Sequence, residues 1–358
     1  MAILTRKNRQ FVVQVEDWLT HLLGVGPALG NIFYMAPTGG TMEGNLLANG
    51  VPDAAIYHTL VSAEAAMTTD QNDVLLVTPG LYTETATCDW TKDHTHLVGL
   101  GGPNILGRFG RPNCMIYTET AGVNYTVHLT GDFCQFHNIM LGNGGGGATA
   151  GATANNLSAM YLVGYGNYFK RVAFRGIGST AQLGAAACSS LEIGAAGECE
   201  FDECIIGQNG FGSTRTIATQ GHMRLSYAAD DAGMVSPQNM VFKNTMFLSR
   251  SETITTPMVY WTNLYASDRM WMFDNCHFEN FSVNGSLEGL CEVVFKKDTG
   301  TNRTTNVSLR NCSARGYNLW IGSAQNPGYY QPMFQSNSPL TGTGGGLMRA
   351  PTTDADGT

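Results

Sequence analysis

The sequence predicts an all-β fold built as one coil of short parallel strands, and three observations predict it. A six-residue pattern recurs, reading FHNIML from Phe136, FKRVAF from Phe169, FDECII from Phe201, FKNTMF from Phe242, FDNCHF from Phe273 and LRNCSA from Leu309. Successive anchors lie 33, 32, 41, 31 and 36 residues apart, too irregular for a helical array but natural for one strand-bearing unit with loops of varying length. Composition agrees: charged residues make up 13% of the 358-residue chain and glycine contributes 44, which suits stacked turns better than helices. A solenoid also escapes the size limit of a single globular core, so one elongated domain is expected.

Aligning the six copies assigns faces. The fourth column holds Ile139, Val172, Cys204, Thr245, Cys276 and Cys312, and the sixth holds Leu141, Phe174, Ile206, Phe247, Phe278 and Ala314. Positions two apart share a strand face, so both columns point inward. The third column is Asn138, Arg171, Glu203, Asn244, Asn275 and Asn311, and Asn tolerates the left-handed backbone that a one-residue bend needs. Each copy therefore reads strand, bend, strand. Stacked about 4.8 Å apart, such units bury an apolar column that no single copy could bury alone.

The remaining elements follow in order. Phe11, Val12, Val15, Trp18, Leu19, Leu22 and Leu23 recur at helical spacing before Gly24, a stop signal. This helix, within residues 1–31, is expected to cap the open end of the core or to dock the protein on a partner. Then come IFYMAPTGG from Ile32, a helical stretch around residues 54–67, DVLLVTPGLYTET from Asp73 and THLVGLGGP from Thr95. Further strands are expected in MIYTET from Met115, YTVHLTG from Tyr125, MYLVGYG from Met160, SLEIG from Ser190, MRLSYA from Met223, MVYWTNLYA from Met258 and EVVFKKD from Glu292. Residues 335–358 contain four glycines from Gly342 to Gly346, with Pro339 and Pro351, and almost no apolar periodicity. They are expected to form an extended tail resting on a partner surface.

The order of these elements, with Pro79, Gly80 and Tyr82 closing one strand and Gly99, Gly101 and Gly102 another, resembles the entry into the pectate-lyase-like superfamily. That resemblance covers roughly residues 32–320. It implies a right-handed, single-stranded parallel β-helix over 32–334, between an N-terminal helix and a C-terminal tail.

Several function classes are disfavoured. A net charge of −8 and a pI near 5.4 argue against nucleic acid as a partner. No apolar run approaches a membrane span. The nine cysteines are odd in number and three share the inward fourth column, so buried free thiols are expected, as in a protein folded in a reducing compartment. No zinc spacing is found, and no metal or cofactor is expected.

For a β-helix of this kind, the resemblance implies that glycan chemistry would sit on one exterior face, with carboxylates two residues apart. Glu198, Glu200 and Asp202 in GECEFDEC have that spacing and are the candidate catalytic acids, against the alternative of a solvated outer face. Tyr260, Trp261 and Tyr265 are the candidate sugar-stacking rings, although adjacency puts Tyr260 and Trp261 on opposite faces. His94 and His96 are two apart and lack a third metal ligand. The Asn-Thr-Asp strand, Asp pair and Gly-His-Gly turn of polygalacturonase-type hydrolases do not occur together.

The first ten residues are polar, and the apolar stretch after them contains Glu16 and Asp17, unlike an export signal. With unpaired thiols and a non-globular tail, the chain resembles bacteriophage virion proteins, which assemble in the host cytoplasm. That resemblance implies a structural homotrimer on the particle, a head decoration or fibre docked on a capsid or other virion protein, touching surface glycans. The alternative is a tailspike that binds or depolymerises a cell-surface polysaccharide as a hydrolase or lyase.

Overall fold

The computed structural model of the chain describes residues 6–24, 29–101, 114–144, 157–208, 217, 219–226, 237–251, 256–262, 268–280, 291–297, 307–321 and 333–335. Its strands form three parallel sheets, the first of eleven strands and the second and third of eight each. The chain visits them in rotation. Val74–Val77 lies in the first sheet, Gly80–Thr83 in the second and Cys88–Trp90 in the third, and His96–Gly99 returns to the first beside Val74–Val77. Eight such turns stack into a parallel β-helix, and every strand expected between the six anchors is present.

The bend between the first and second sheets is the predicted single residue. All six third-column residues have left-handed backbones, with φ between 49° and 55°, including the two that are not Asn. Asn138, Arg171, Glu203, Asn244 and Asn275 each donate the N–H to the next turn, Arg171 to the Asp202 carbonyl and Asn244 to that of Asp274. Inside, the anchor phenylalanines stack in register: Phe169 on Phe201 and Phe201 on Phe242 at 4.6 Å, and Phe242 on Phe273 at 4.9 Å. Those distances match the spacing of neighbouring strands, so one ring per turn fills the core without a gap. A matching column runs down the second sheet, where Phe247 and Phe278 stack at 4.4 Å.

The fourth column explains its own composition. Cys204, Cys276 and Cys312 point their thiols at the carbonyls of Phe169, Phe242 and Phe273 one turn back, at 3.3–3.4 Å, and the Thr245 hydroxyl does the same to Phe201. A small side chain with a donor suits a buried site beside a carbonyl. The eight cysteines whose side chains are described are all free and buried.

The N-terminal helix does not cap the open end of the core. Helix α1 (Arg6–Leu23) lies on the outer face of the first sheet, where Leu19 and Leu23 join Val74, Leu76 and Val98 in a second apolar layer. Leu46 of α2 (Thr41–Ala48) belongs to that layer too. The end of the coil is closed instead by α3 (Leu60–Ala66), whose Leu60 and Ala63 join the inner core. The reason lies in the run VLLV at Val74–Val77: all four residues are buried, because a strand apolar on both faces needs cover on both. Gly24, with φ of 68°, ends α1 as expected, and Gln135 Nε2 ties down its last turn by donating to the Leu23 carbonyl at 2.9 Å.

Beside this layer, His96 and His137 project from the outer face of the first sheet and are buried. His96 Nε2 meets Asn72 Oδ1 at 3.2 Å and His137 Nε2 meets Gln135 Oε1 at 3.1 Å. Burial holds both imidazoles below their ordinary pKa, His96 at about 3 with help from His137 and His94, His137 at about 4 with help from Lys170 and Arg171. The folded form therefore carries neutral rings. The unfolded chain takes up protons below about pH 6.5 that the native chain refuses, so stability is full above that pH and declines towards pH 4. Urea unfolding should show a loss of about 2 kcal/mol per imidazole at pH 5 relative to pH 7.5, and the double variant His96→Gln, His137→Gln should flatten the decline.

Candidate functional site

The outward faces differ in chemistry, and the first sheet carries the acidic strand. Glu200 and Asp202 flank the strand Glu200–Asp202 and point outward, as the alternation predicts. Glu198 does not join them. It is an exposed corner residue with φ of 57°, so the alternation is broken before the strand begins. Glu200 pairs with Lys243 at 2.9 Å and Asp202 with Lys170 at 3.1 Å, while Asn244 Nδ2 and Tyr168 Oη also donate to Asp202, at 3.0 and 3.4 Å. Partial burial raises the Asp202 pKa, but the bonds from Asn244 and Lys170 outweigh it and hold it below the ordinary value. The Lys170 pKa is raised by the same bond.

Register extends this pairing into a ladder. Lys170, Asp202, Lys243, Asp274 and Arg310 occupy one outward column in five successive turns, alternating in sign, and Arg310 meets Asp274 through both Nε and Nη2. One column over, Arg171 and Glu203 pair at adjacent bends. Carboxylates so matched are engaged by cations of the neighbouring turns, which is unsuited to acid and base roles on a glycosidic bond.

The candidate sugar-stacking rings are displaced inward. Trp261 is 1% exposed and packs in the core against Trp271 and Phe295, at 6.2 and 5.7 Å. Tyr260, on the opposite face of the strand Val259–Trp261, is 3% exposed. Neither offers a ring face to a ligand, and Tyr265 lies outside the described residues. His94 and His96 also part company, since His94 stands at an exposed corner, 2.9 Å from Asp70, and His96 is buried. Among the described residues no three His, Cys, Asp or Glu side chains converge as a metal set would.

The outward face of the third sheet holds a different row. Asp89, His128, Tyr161, Glu192, Arg224 and Tyr260 stand in register across six turns. Asp89 meets His128 Nδ1 at 3.0 Å, the His128 ring stacks on Tyr161 at 5.2 Å, and Tyr125 stacks on Tyr161 at 4.9 Å. Gly194 makes room for the Tyr161 ring: a Cβ there would lie 2.6 Å from its hydroxyl. Glu192 and Arg224 follow as an ion pair at 3.3 Å. Burial raises the Glu192 pKa in spite of Arg224, and burial together with Glu192 raises that of Tyr125. The row grades from an exposed Asp89 through a half-buried His128 to a buried Tyr161 and Glu192, so the part that can meet a sugar is Asp89, His128 and the half-buried Tyr125 beside them.

No protein-family model matches the chain, and no curated protein sequence does. Among solved structures, the chain is similar to pectate lyase Pel9A, with 14% identity and a TM-score of 0.52 over 88% of this chain and 81% of that one. A rhamnogalacturonan lyase gives 13% identity and a TM-score of 0.50, over 80% and 68%. The pectin methylesterase from Aspergillus niger gives 14% and 0.45, over 86% and 85%. The chain has the pectate-lyase-like parallel β-helix fold.

The third-sheet row escaped sequence reasoning, although a signal for it exists. VHL, MYL, LEI, MRL and VYW, ending at Leu129, Leu162, Ile193, Leu225 and Trp261, each place one outward residue between two core residues. Aligning those triplets, rather than the anchors, lines up His128, Tyr161, Glu192, Arg224 and Tyr260. For the first sheet, a double-mutant cycle on Asp202→Asn and Lys170→Met should return a coupling of about 0.5–1 kcal/mol, the upper range for a pair at the surface. Saccharide binding should be unchanged in Asp202→Asn and in Glu200→Gln.

Proposed function

We propose that the chain is a structural component of a bacteriophage particle, a homotrimeric β-helix displayed as head decoration or fibre, that touches cell-surface glycan along its third sheet. The observation that carries the glycan contact is the in-register row of Asp89, His128 and Tyr161 with Tyr125 stacked beside it. Its rings are ordered before any ligand arrives, so stacking on a sugar costs little further side-chain entropy. A fold shared with a pectate lyase and a rhamnogalacturonan lyase supports a glycan as ligand. Buried free thiols support assembly in a reducing compartment. The self-paired acids of the first sheet favour a structural over a catalytic role for that face.

One observation favours the tailspike reading, in which the glycan is also cleaved: Glu192 is a buried carboxyl with a raised pKa beside Arg224. A buried carboxyl whose pKa is raised is a recurrent candidate for a general acid. The test takes the full chain and polysaccharide from a susceptible host surface. Binding should fall about tenfold or more in His128→Ala and Tyr125→Ala, with no shortening of the polysaccharide by the parent chain. Shortening that disappears in Glu192→Gln would establish the tailspike instead, and undiminished binding in both ring variants would remove the third-sheet contact.

A further inference from the structure

The inward fourth column brings two thiols into neighbouring turns. Cys204, Thr245, Cys276 and Cys312 follow one another turn by turn, so Thr245 separates Cys204 from Cys276, while Cys276 and Cys312 are adjacent. His277 is in register with Ser313, and the Ser313 N–H donates to the Cys276 carbonyl at 3.0 Å, which matches the two cysteines position for position. Matched residues of neighbouring strands have Cα atoms about 4.8 Å apart, inside the roughly 4.4–6.8 Å that a disulfide spans. Cys134 and Cys199 also share a column, but Asn167 parts them.

The two side chains point along the stack. Cys312 Sγ reaches back to the Phe273 carbonyl at 3.3 Å, in the turn that holds Cys276, and Cys276 Sγ reaches back to that of Phe242 at 3.4 Å. A hydrogen bond from Cys276 holds the Cys312 thiol below its ordinary pKa, while burial pushes that of Cys276 up. Cys312 is therefore the readier thiolate. Their place in the coil gives the pair a use. Cys312 precedes Ser313–Arg315, the edge strand of the second sheet. The other end of the coil is closed by α3, whereas among the described residues no helix follows Thr180–Leu183. A stack of repeats opens first at its ends, and a bond between the bends at Asn275 and Asn311 would hold this one shut.

We propose that Cys276 and Cys312 are a redox-sensitive pair, reduced while the coil folds and joined by a disulfide when the protein meets an oxidising medium. This goes beyond the glycan contact and stands without it. A low-molecular-weight disulfide supplies the oxidation. The Cys312 thiolate attacks one of its sulfurs, forming a mixed disulfide and releasing one small thiol; the Cys276 thiolate then attacks Cys312 Sγ, forming the bridge and releasing the second. Two protein thiols are oxidised, the small disulfide is reduced, and the two protons leave on its thiols. The bridge joins residues 36 positions apart, which narrows the unfolded ensemble and leaves the coil in register. Threonine supplies the control, because Thr245 fits the same column and bonds the Phe201 carbonyl at 3.3 Å.

The experiment exposes the full chain, folded and reduced, to hydroxyethyl disulfide, blocks the remaining thiols and maps joined peptides. Cys276→Thr, Cys312→Thr and Cys204→Thr are treated beside the parent. The parent and Cys204→Thr should yield peptides joined through Cys276 and Cys312 and a thermal midpoint raised by about 5 °C, both reversed by dithiothreitol. Cys276→Thr and Cys312→Thr should keep the midpoint of the reduced parent and gain nothing on oxidation. No joined peptide in the parent after prolonged exposure, or a bridge between other cysteines in its place, would overturn the pair. A bridge that leaves the midpoint unchanged would overturn its role as a staple. A gain in midpoint that persists in Cys276→Thr would assign the effect to other thiols and overturn both.

Discussion

A left-handed bend of one residue between the first and second sheets governs the rest of this fold. It allows no variation in length, so each turn of the coil leaves the first sheet in the same register as the turn before. Its N–H continues the ladder of parallel hydrogen bonds around the corner, from Asn138 through Arg171, Glu203 and Asn244 to Asn275. The anchor rings two residues upstream are thereby stacked at strand spacing, and the fourth-column donors reach the carbonyls one turn back. Left-handed backbone costs a residue other than glycine about 1 kcal/mol or more, less for Asn. The two positions that depart from Asn, Arg171 and Glu203, are adjacent and pair with each other.

With the interior set in this way, the outer faces are free to diverge. The first sheet neutralises itself along an alternating column of charge and is covered at its N-terminal end by α1. The second carries Met140, Ala173, Ile205 and Leu248 as a separate apolar cluster on its outer side. The third presents aromatic, imidazole, carboxyl and guanidinium groups in single file. Rigid parallel register is what turns separate side chains into rows, because a residue at the same strand position in each turn lands about 4.8 Å from its predecessor.

The interior was legible in the sequence because it repeats: the same bend, ring and small donor recur, so Phe136 to Leu309 could be aligned without a structure. The outer faces were less so. In the sequence Glu198 continues the alternation of Glu200 and Asp202, and only its left-handed corner backbone removes it from that face. Adjacency places Tyr260 and Trp261 on opposite faces without saying which is inward, because large aromatics within a β-coil can face either way, and only the inward column of the third sheet decides between them. The N-terminal helix was recognisable from its periodicity, yet its seat followed from the doubly buried run Val74–Val77, a longer-range requirement than any local pattern expresses. Pairings such as Lys170 with Asp202 join residues about thirty positions apart, and they become visible only once the register is known.

The most direct test of this account is a cross-link between neighbouring bends. Asn275 Nδ2 donates to Asn244 Oδ1 at 2.8 Å, and the two residues occupy the same column one turn apart. Strand spacing of about 4.8 Å lies within the Cα separation a disulfide accepts. In Asn244→Cys, Asn275→Cys, mild oxidation should yield an intramolecular bridge between those positions, identified by peptide mass, while Asn244→Cys, Asn311→Cys, two turns apart, should yield none. A bridge in the second pair but not the first, or in neither, would contradict the one-residue bend and the stacked coil built on it.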